Sequence, residues 1–524
     1  MRWNPFARSA VASADRTEPT VEIPKSTGRP RGIFATGGLR SFSAGTVDLL
    51  TADFQAWIQS GNAALRPALR TMRARSRSLA ENNDYMKAFL GTLDKKVLGP
   101  EGIRLTVRAM RPDGTTVDQQ DSDYLEASFA EWAKKGNCTV CGRYSFKAVQ
   151  RLVLRTAGRD GEILVRMVRN FANKWGFALQ LFEGDVLDED LNVPRGAGHG
   201  GIDKPIDNEI VMGVERDPWK RVVAYHVLTR HPGDDLFGGW QGVARYTRIP
   251  AAEVLHLFIP DRVDDARGAP WAWTAIRRLQ MTGGYEEAEL VAARLGASKG
   301  GFFEEEDGSE TPSDWQDSVT QQPVREVQPG QFDVLPAGVK FKEYNPTHPN
   351  ANFGAFLKAV LRGAAAGLGV SYNGLARDLE GVNYSSLRGG ELDERDYWCV
   401  LQQWLVEELC EPAYSSWLDM SLLTGALALP PSKRDKFDAD VWHARGWPWV
   451  DPSKDIDAAA GEIELGINSL TRIAAARGVD LEDVFRERRR EIDLAKQYGV
   501  ELGLPKRQPQ PPQQPQPTGT GQNE

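Results

Sequence analysis

The spacing of hydrophobic positions changes several times along the chain, and each change marks a predicted element. From Val47 to about Leu98 the apolar residues recur with helical spacing, and Gly99-Pro100 is predicted to end that helical region. Apolar and polar residues then alternate as in a strand in GIRLTVRAM, and helical spacing returns in DSDYLEASFAEWAKKG. A helix, a glycine turn and a strand are predicted in SFKAVQRLVLRTAGRDGEILVRMVRN. Further alternating segments follow, so we predict one α+β domain over residues 46–269.

Two long helices separated by an insertion are predicted next. Pro270 suits the first turn of a helix, and the pattern predicts a helix that reaches about residue 300. A second helix is predicted to start after Asn352, its expected N-cap, and to extend to residue 370. Between them, residues 302–344 contain ten acidic and three basic side chains. This insertion is therefore expected to form a strongly acidic surface.

The stretch from Gly367 to Trp398 is rich in glycine, tyrosine and serine and lies between two helical patterns. It is too long for a tight turn and too polar for a core strand, and it has no recognisable catalytic spacing. Helical spacing returns from Tyr384 to Cys410. Near the end of the chain, two short helices are predicted on either side of residues 478–480.

Both ends of the chain are predicted to lack a packed core. Residues 1–45 are rich in Ser, Thr, Arg, Pro and Gly and are expected to form a flexible arm. Residues 505–524 are rich in Pro and Gln, a composition that cannot bury enough apolar surface to fold.

Composition and charge narrow the class of protein. The 524 residues carry a formal net charge of -8 at pH 7, and the pI is about 5.6. This acidic balance argues against a broad basic surface that binds nucleic acid tightly. The charge remains compatible with a protein past which nucleic acid slides. Four cysteines are too few for a disulfide scaffold and favour a reducing compartment. No apolar window is long enough to predict a transmembrane helix.

The residues that usually carry catalysis or bind metals are not spaced for either role. Cys138 and Cys141 form one CxxC without a second ligand pair, and we predict ordinary thiols. His226 and His256 lie inside predicted strands, where buried, hydrogen-bonded histidines are expected. We therefore predict no catalytic, cofactor-binding or metal-binding residues and no cofactor. A hydrolase or nuclease with an unrecognised site remains an alternative.

The run RERRRE at residues 486–491 is basic on balance. Glu–Arg pairs four residues apart would make it a solvated helix face. The alternative is a contact with nucleic acid or with an acidic partner.

Several segments in combination resemble one family. They are RARSRSLAENNDYMKAFLGTLDKKVLGPEGI, LFEGDVLDE, IVMGVERDPWKRVVAYHVLTRHPGD, IPAAEVLHLFIPDRVDDARGAPWAWTAI and GVSYNGLARDLEGVNYSSLRGGELDERDYW. Together they resemble the portal proteins of lambda-type tailed bacteriophages over roughly residues 60–505. Portal proteins of this type are rings, usually of twelve subunits, at one vertex of the viral head.

The resemblance implies an α+β portal fold with a wing, a helical stem, a clip and a mainly helical crown, assembled as a ring. The implied organisation is an arm (1–45), a wing (46–269), a first stem helix (270–300), a clip (301–345), a second stem helix (346–370), a channel loop (371–384), further wing helices (385–460), a crown (461–504) and a tail (505–524).

Two sets of site residues are also implied. In such rings the segment after the second stem helix faces the central channel, and here its polar residues would be Asn373, Arg377, Asp378, Glu380 and Asn383. The clip lies at the end of the ring that meets the packaging motor, and its acidic residues would include Glu304, Glu305, Glu306 and Asp307.

The function implied is that of a portal without catalysis of its own, through which double-stranded DNA is packaged and ejected. The implied partners are other copies of the chain, the terminase large subunit, major capsid and scaffold proteins, and a head-completion or adaptor protein, with no membrane involved. The implied location is the head vertex of the virion after assembly in the host cytoplasm. Another ring or adaptor protein of the virion is the alternative within the same setting.

Overall fold

The structure is a computed structural model, and it describes residues 58–114, 116–197, 207–234, 245–297, 301–305, 339–343, 352–380, 384–447 and 452–500. The chain divides into two units, Met1–Ile58 and Gln59–Glu524. The predicted arm and the predicted Pro/Gln tail lie outside the described residues, as does most of the acidic insertion.

The N-terminal half mixes helices with antiparallel strands, as the sequence predicts. Its helices are α1 (Gly61–Asn82), α2 (Asp84–Leu93), α3 (Gln119–Trp132) and α4 (Phe146–Asp160). Its strands are β1 (Arg104–Val107), β2 (Glu162–Arg169), β3 (Phe177–Glu183), β4 (Glu209–Val211), β5 (Val214–Arg216), β6 (Val222–Leu228), β7 (Tyr246–Pro250) and β8 (Val254–Phe258). The predicted α+β class is confirmed.

The C-terminal half is mainly helical. Its helices are α5 (Ile276–Ala297), α6 (Phe353–Leu368), α7 (Tyr372–Ala376), α8 (Tyr384–Leu405), α9 (Glu411–Leu423), α10 (Arg434–Phe437), α11 (Pro452–Glu464), α12 (Leu470–Ala476) and α13 (Leu481–Tyr498). Its strands are β9 (Gly301–Glu305), β10 (Val339–Glu343) and β11 (Asp440–His443). A π-helical turn, Val406–Cys410, joins α8 directly to α9. No described helix is long and apolar enough to span a membrane.

The strands form small antiparallel sheets. Strand β2 lies between β3 and β8, and β4, β5, β6 and β7 form a meander. β9 pairs with β10. β1 pairs with β11, so that Arg104 lies opposite His443. The pairing of β1 with β11 therefore joins the N-terminal half of the chain to a strand of the C-terminal half.

A cluster of aromatic rings fills the main core. Phe129 on α3 is its centre, and its ring centroid lies 5.1–5.9 Å from those of five other rings: Trp132, Phe146, Tyr414, Trp417 and Trp442. The indole N–H of Trp132 donates to the carbonyl of Phe177 at 3.1 Å, so this buried polar group is satisfied. The cluster holds α9 and β11 in the same core as α3 and α4.

A buried carboxylate organises a second, polar part of the interior. Glu162 at the start of β2 is fully buried and accepts hydrogen bonds from Arg267 at 2.5 Å and from Arg73 at 2.7 Å. His256 lies 3.0 Å away, and the backbone N–H of Gly268 donates at 3.0 Å. Burial by itself would raise the pKa of Glu162, but Arg267, His256 and Arg73 hold it well below its usual value. This cluster ties α1, β2 and β8 to the segment before α5.

The start of α5 differs from the prediction. The helix begins at Ile276 and not at Pro270, because turns occupy residues 271–275. The N–H of Trp273 donates to the carbonyl of Pro270 at 3.0 Å, a bond across three residues. The backbone of Ala269 and Pro270 also lies against Gly161, where a Cβ atom would stand 2.3 Å from the carbonyl carbon of Ala269.

The close packing of Gly161 against the backbone of Ala269 and Pro270 can be tested by mutation. We expect Gly161→Ala to lower the free energy of unfolding by about 2–4 kcal/mol, because the new methyl meets backbone atoms and the residue keeps a φ of +93°. In the control Gly136→Ala, φ is +99° but nothing lies within 4 Å, so only backbone strain of about 1–2 kcal/mol is expected. Urea denaturation followed by tryptophan fluorescence measures both. Equal losses would contradict the packing argument.

Candidate functional site

The candidate site is the segment that follows α6. Helix α6 packs against α5, and it ends where Gly369 adopts a left-handed conformation with φ +67°. The N–H of Val370 then donates to the carbonyl of Ala365 at 3.1 Å. This closing bond is that of a Schellman motif, and it turns the chain sharply out of the helix.

The segment predicted as a loop begins with a helical turn, α7. The hydroxyl of Ser371 accepts from the N–H of Gly374 at 3.0 Å and caps that turn. The N–H of Ser371 itself donates to the carboxylate of Glu394 on α8 at 2.6 Å, and Glu394 is buried. Residues 371–376 are therefore anchored to α8 and do not form a free loop.

Asp378 is the most highly bonded residue of the segment. Its carboxylate accepts from the hydroxyl of Tyr372 at 2.8 Å and from the N–H of Glu380 at 2.9 Å, and the ammonium of Lys358 on α6 lies 3.1 Å away. The Glu380 N–H, the Tyr372 hydroxyl and Lys358 together lower the pKa of Asp378 to about 2. The predicted channel-facing charge at Asp378 is thus already neutralised by α6.

The other predicted channel residues have different surroundings. Asn373 is half-buried on α7, whereas Arg377 and Glu380 are exposed. Arg377 adopts a left-handed conformation with φ +54°, which is uncommon for a residue with a side chain. Asn383 lies outside the described residues. The exposed charges described in this segment are therefore Arg377 and Glu380.

Two cations on α6 also belong to the site, and the sequence reasoning missed them. Lys358 and Arg362 lie 5.5 and 5.7 Å from the ring centroid of Tyr372. Both distances are within the range of a cation–π contact. The available signal was their spacing of four residues, which places both on one face of α6.

An apolar groove runs between α5 and α6, with a volume of about 520 Å³. Its walls include Met281, Tyr285, Phe356 and Val360. Met281 and Phe356 are 65% and 55% exposed, and both line this one groove. The groove therefore leaves apolar surface of both helices open to solvent.

The predicted clip residues are described only in part. Glu304 and Glu305 lie on β9, where Glu304 is opposite Lys340 of β10. Glu306 and Asp307 lie outside the described residues.

His226, His256 and Cys138 behave as structural groups. His226 and His256 lie on strands and contact Glu215 and Glu162, each at 3.0 Å, which confirms the prediction for both. The thiol of Cys138 is buried and donates to the carbonyl of Tyr144 at 3.3 Å. Burial raises its pKa to about 12, so it remains a thiol.

Within the described ranges, one group of side chains has the spacing of metal ligands. It consists of Glu183, Asp185 and His231, which sequence spacing did not reveal. The guanidinium of Arg77 lies 3.3 Å from Glu183 and also contacts Asp185. Arg73 also pairs with Asp185 at 3.1 Å, and Arg159 lies 3.7 Å from Glu183. Cations supplied by the protein therefore already neutralise these carboxylates.

The basic run at residues 486–491 lies on α13 and is exposed or half-buried. Arg486 pairs with Asp123 at 3.2 Å and Arg488 with Glu491 at 3.4 Å. These pairs fit a solvated helix face.

Comparison with known proteins identifies phage portal proteins as relatives of this chain. Residues 48–402 match the family described as phage portal protein, lambda family. The probable portal protein of Halomonas phage phiHAP-1 is 39% identical over 82% of this chain and 81% of that protein. Portal protein B of Escherichia phage lambda is 22% identical over 83% and 85%. Among solved structures, the neck of an empty GTA particle covers 78% of this chain and 94% of the matched chain, at 11% identity and a TM-score of 0.40.

Proposed function

Because this chain belongs to the lambda family of phage portal proteins, we propose that copies of it form a ring through which double-stranded DNA enters and leaves a phage head. The observation that carries the proposal is the anchored segment 371–380, which follows directly on the paired helices α5 and α6. The family match spans this region, which favours a portal over another ring or adaptor of the virion.

The ring would close through contacts between neighbouring copies at the groove of α5 and α6. Met281 and Phe356 supply apolar surface that a second copy can bury, which is the usual driving force of association. A head-to-tail contact of this kind is heterologous and closes into a ring when the rotation between subunits is right. We take about twelve subunits as the expected number from the family resemblance.

The segment 371–384 would face the channel with few free charges. Affinity for DNA grows with the number of phosphates that a protein neutralises, so many exposed lysines would hold the duplex in place. Arg377 and Glu380 are exposed and of opposite sign. A surface of this kind contacts any DNA sequence weakly and lets the duplex move.

The remaining partners follow from the same setting. The clip would dock the terminase large subunit, with Glu304, Glu305, Glu306 and Asp307 as its acidic contacts. ATP hydrolysis would belong to the terminase, and this chain would be a passive conduit without catalysis. Capsid, scaffold and head-completion proteins would meet other surfaces of the ring, which would assemble in the host cytoplasm and end at the head vertex.

The test shortens the segment and leaves its anchor in place. Removing residues 379–382 keeps Ser371 bonded to Glu394 and should leave ring formation intact. We expect DNA packaging to fall below the wild-type level, because the channel surface that the segment would supply is lost. Nuclease-protected DNA in a packaging reaction measures the effect, and negative-stain electron microscopy checks the rings.

The matched control removes residues 505–524, the Pro/Gln tail. Rings and packaging are expected to be unchanged in that variant, since its composition predicts no packed structure. Packaging at the wild-type rate in the shortened segment would reject the proposed role of the loop.

A further inference from the structure

We propose that Asp378 masks the ammonium group of Lys358 from DNA phosphates, so that each subunit presents one positive charge fewer to the duplex. The proposal rests on the proposed function, because it takes the segment 371–384 to face the channel. In this proposal Asp378 does not contact DNA. It pairs with Lys358 of α6 and cancels its charge.

Lys358 and Asp378 form an ion pair that is partly exposed to solvent. The Lys358 nitrogen is 3.1 Å from Asp378, and the side chains are 35% and 26% exposed. Water and ions therefore reach both groups, and a DNA phosphate could reach Lys358 if the carboxylate were absent. A fully buried pair would leave no such access.

Asp378 keeps its place without help from Lys358. The hydroxyl of Tyr372 donates to one carboxylate oxygen at 2.8 Å, and the N–H of Glu380 donates to the other at 2.9 Å. Tyr372 lies at the start of α7, whose N-cap, Ser371, is bonded to Glu394 of α8. The carboxylate is therefore held against Lys358 by the fold of the segment, whereas a flexible side chain would have to be ordered by the ion pair alone.

The local charge balance shows what the mask prevents. Three cations, Lys358, Arg362 and Arg377, and two acids, Asp378 and Glu380, lie on or beside the described part of the segment. Among the described residues, Arg362 forms no ion pair, and its guanidinium lies over the ring of Tyr372. Without Asp378, an uncompensated Lys358 would join Arg362 beside the Tyr372 ring, and Glu380 alone would remain to balance Arg377. A ring repeats that change in every subunit, so a small local effect on DNA binding is multiplied.

The experiment measures DNA binding by the assembled ring as a function of salt. The probe is a short blunt-ended DNA duplex without sequence preference, and the variants are Asp378→Asn, Lys358→Met and the double variant. Asp378→Asn keeps the size of the side chain and removes its charge. We expect it to bind the duplex more tightly at low salt. Each additional phosphate that the ring neutralises should increase the loss of affinity between 50 and 200 mM salt by about 3.5-fold.

The two variants that lack Lys358 distinguish masking of Lys358 by Asp378 from direct repulsion between the Asp378 carboxylate and DNA. If Asp378 masks Lys358, the double variant should return to the wild-type affinity and salt dependence. Lys358→Met alone should keep the wild-type salt dependence, because a masked lysine makes no phosphate contact. Its affinity should fall modestly, since the Asp378 carboxylate is left without its partner. An equal gain in Asp378→Asn and the double variant would overturn the proposal, because the carboxylate would then act by its own charge.

Further outcomes keep the inference distinct from the proposed function. A weaker salt dependence in Lys358→Met, as for the loss of one phosphate contact, overturns the masking idea even if Asp378→Asn fails to form rings. Wild-type binding in Asp378→Asn rings also overturns it, and the packaging defect of the shortened segment can still stand. Conversely, tighter DNA binding by Asp378→Asn that disappears in the double variant supports masking, even if the variant with the shortened segment packages DNA normally. In that case only the proposed role of the loop in packaging is rejected.

Discussion

Replacing Glu162 with glutamine is expected to lower the free energy of unfolding by about 3–5 kcal/mol, the usual cost of breaking a buried ion pair from one side. The variant leaves Arg267 buried, at 1% exposure, without its carboxylate partner. Arg73, also 1% exposed, keeps only Asp185, at 3.1 Å. The neutral amide also replaces an acceptor of several hydrogen bonds with a group that donates at one end. Urea denaturation followed by tryptophan fluorescence gives the difference.

The matched control is Glu131→Gln at the surface. Glu131 pairs with Lys174 at 3.1 Å, a distance similar to those in the buried cluster, but the two side chains are 50% and 55% exposed. A loss below about 1 kcal/mol is expected there, because water screens the pair. Similar losses in both variants would mean that burial is not what makes Glu162 important.

Phe129→Ala should also cost about 3–5 kcal/mol, the range for emptying an aromatic site in a core. Phe129 is 4% exposed and lies against rings from α3, α4, α9 and β11. Its loss would leave a cavity that four elements line, and they cannot all move inward. The same denaturation measurement applies.

Phe485→Ala on α13 is the control for Phe129. That side chain is 56% exposed, so its truncation should change the free energy of unfolding by about 0.5 kcal/mol or less. A loss at Phe129 as small as this would show that the aromatic cluster can collapse around the missing ring.

Periodicity predicted those elements that are long and amphipathic. Helices α3 and α4 and strand β2 lie where their patterns placed them, and α13 follows the predicted break at residues 478–480. Strand β11 gave no such signal, since it has four residues and its partner β1 is more than three hundred residues earlier. The late start of α5 was missed because the contact of Gly161 with Ala269 is purely tertiary.

The candidate site was only partly predictable. The resemblance placed Asn373, Arg377, Asp378 and Glu380 in one segment, and the structure describes all four there. Residue type alone could not show which charges are free, because the partner of Asp378 lies twenty residues earlier on α6. Helix α7 was missed because its cap depends on Ser371 and on Glu394 of the next helix.

The pairing of β1 with β11 has a consequence for synthesis on the ribosome. Val107 cannot meet Asp440 until some three hundred and thirty further residues have been made. At about 5–20 residues per second this takes roughly 20–70 s. During that time β1 lacks its partner strand. Phe129 also lacks the three aromatic rings that the later part of the chain supplies, those of Tyr414, Trp417 and Trp442. The core around Phe129 is therefore completed only after residue 442 has been made, so the N-terminal half of the chain reaches its final packing late in translation.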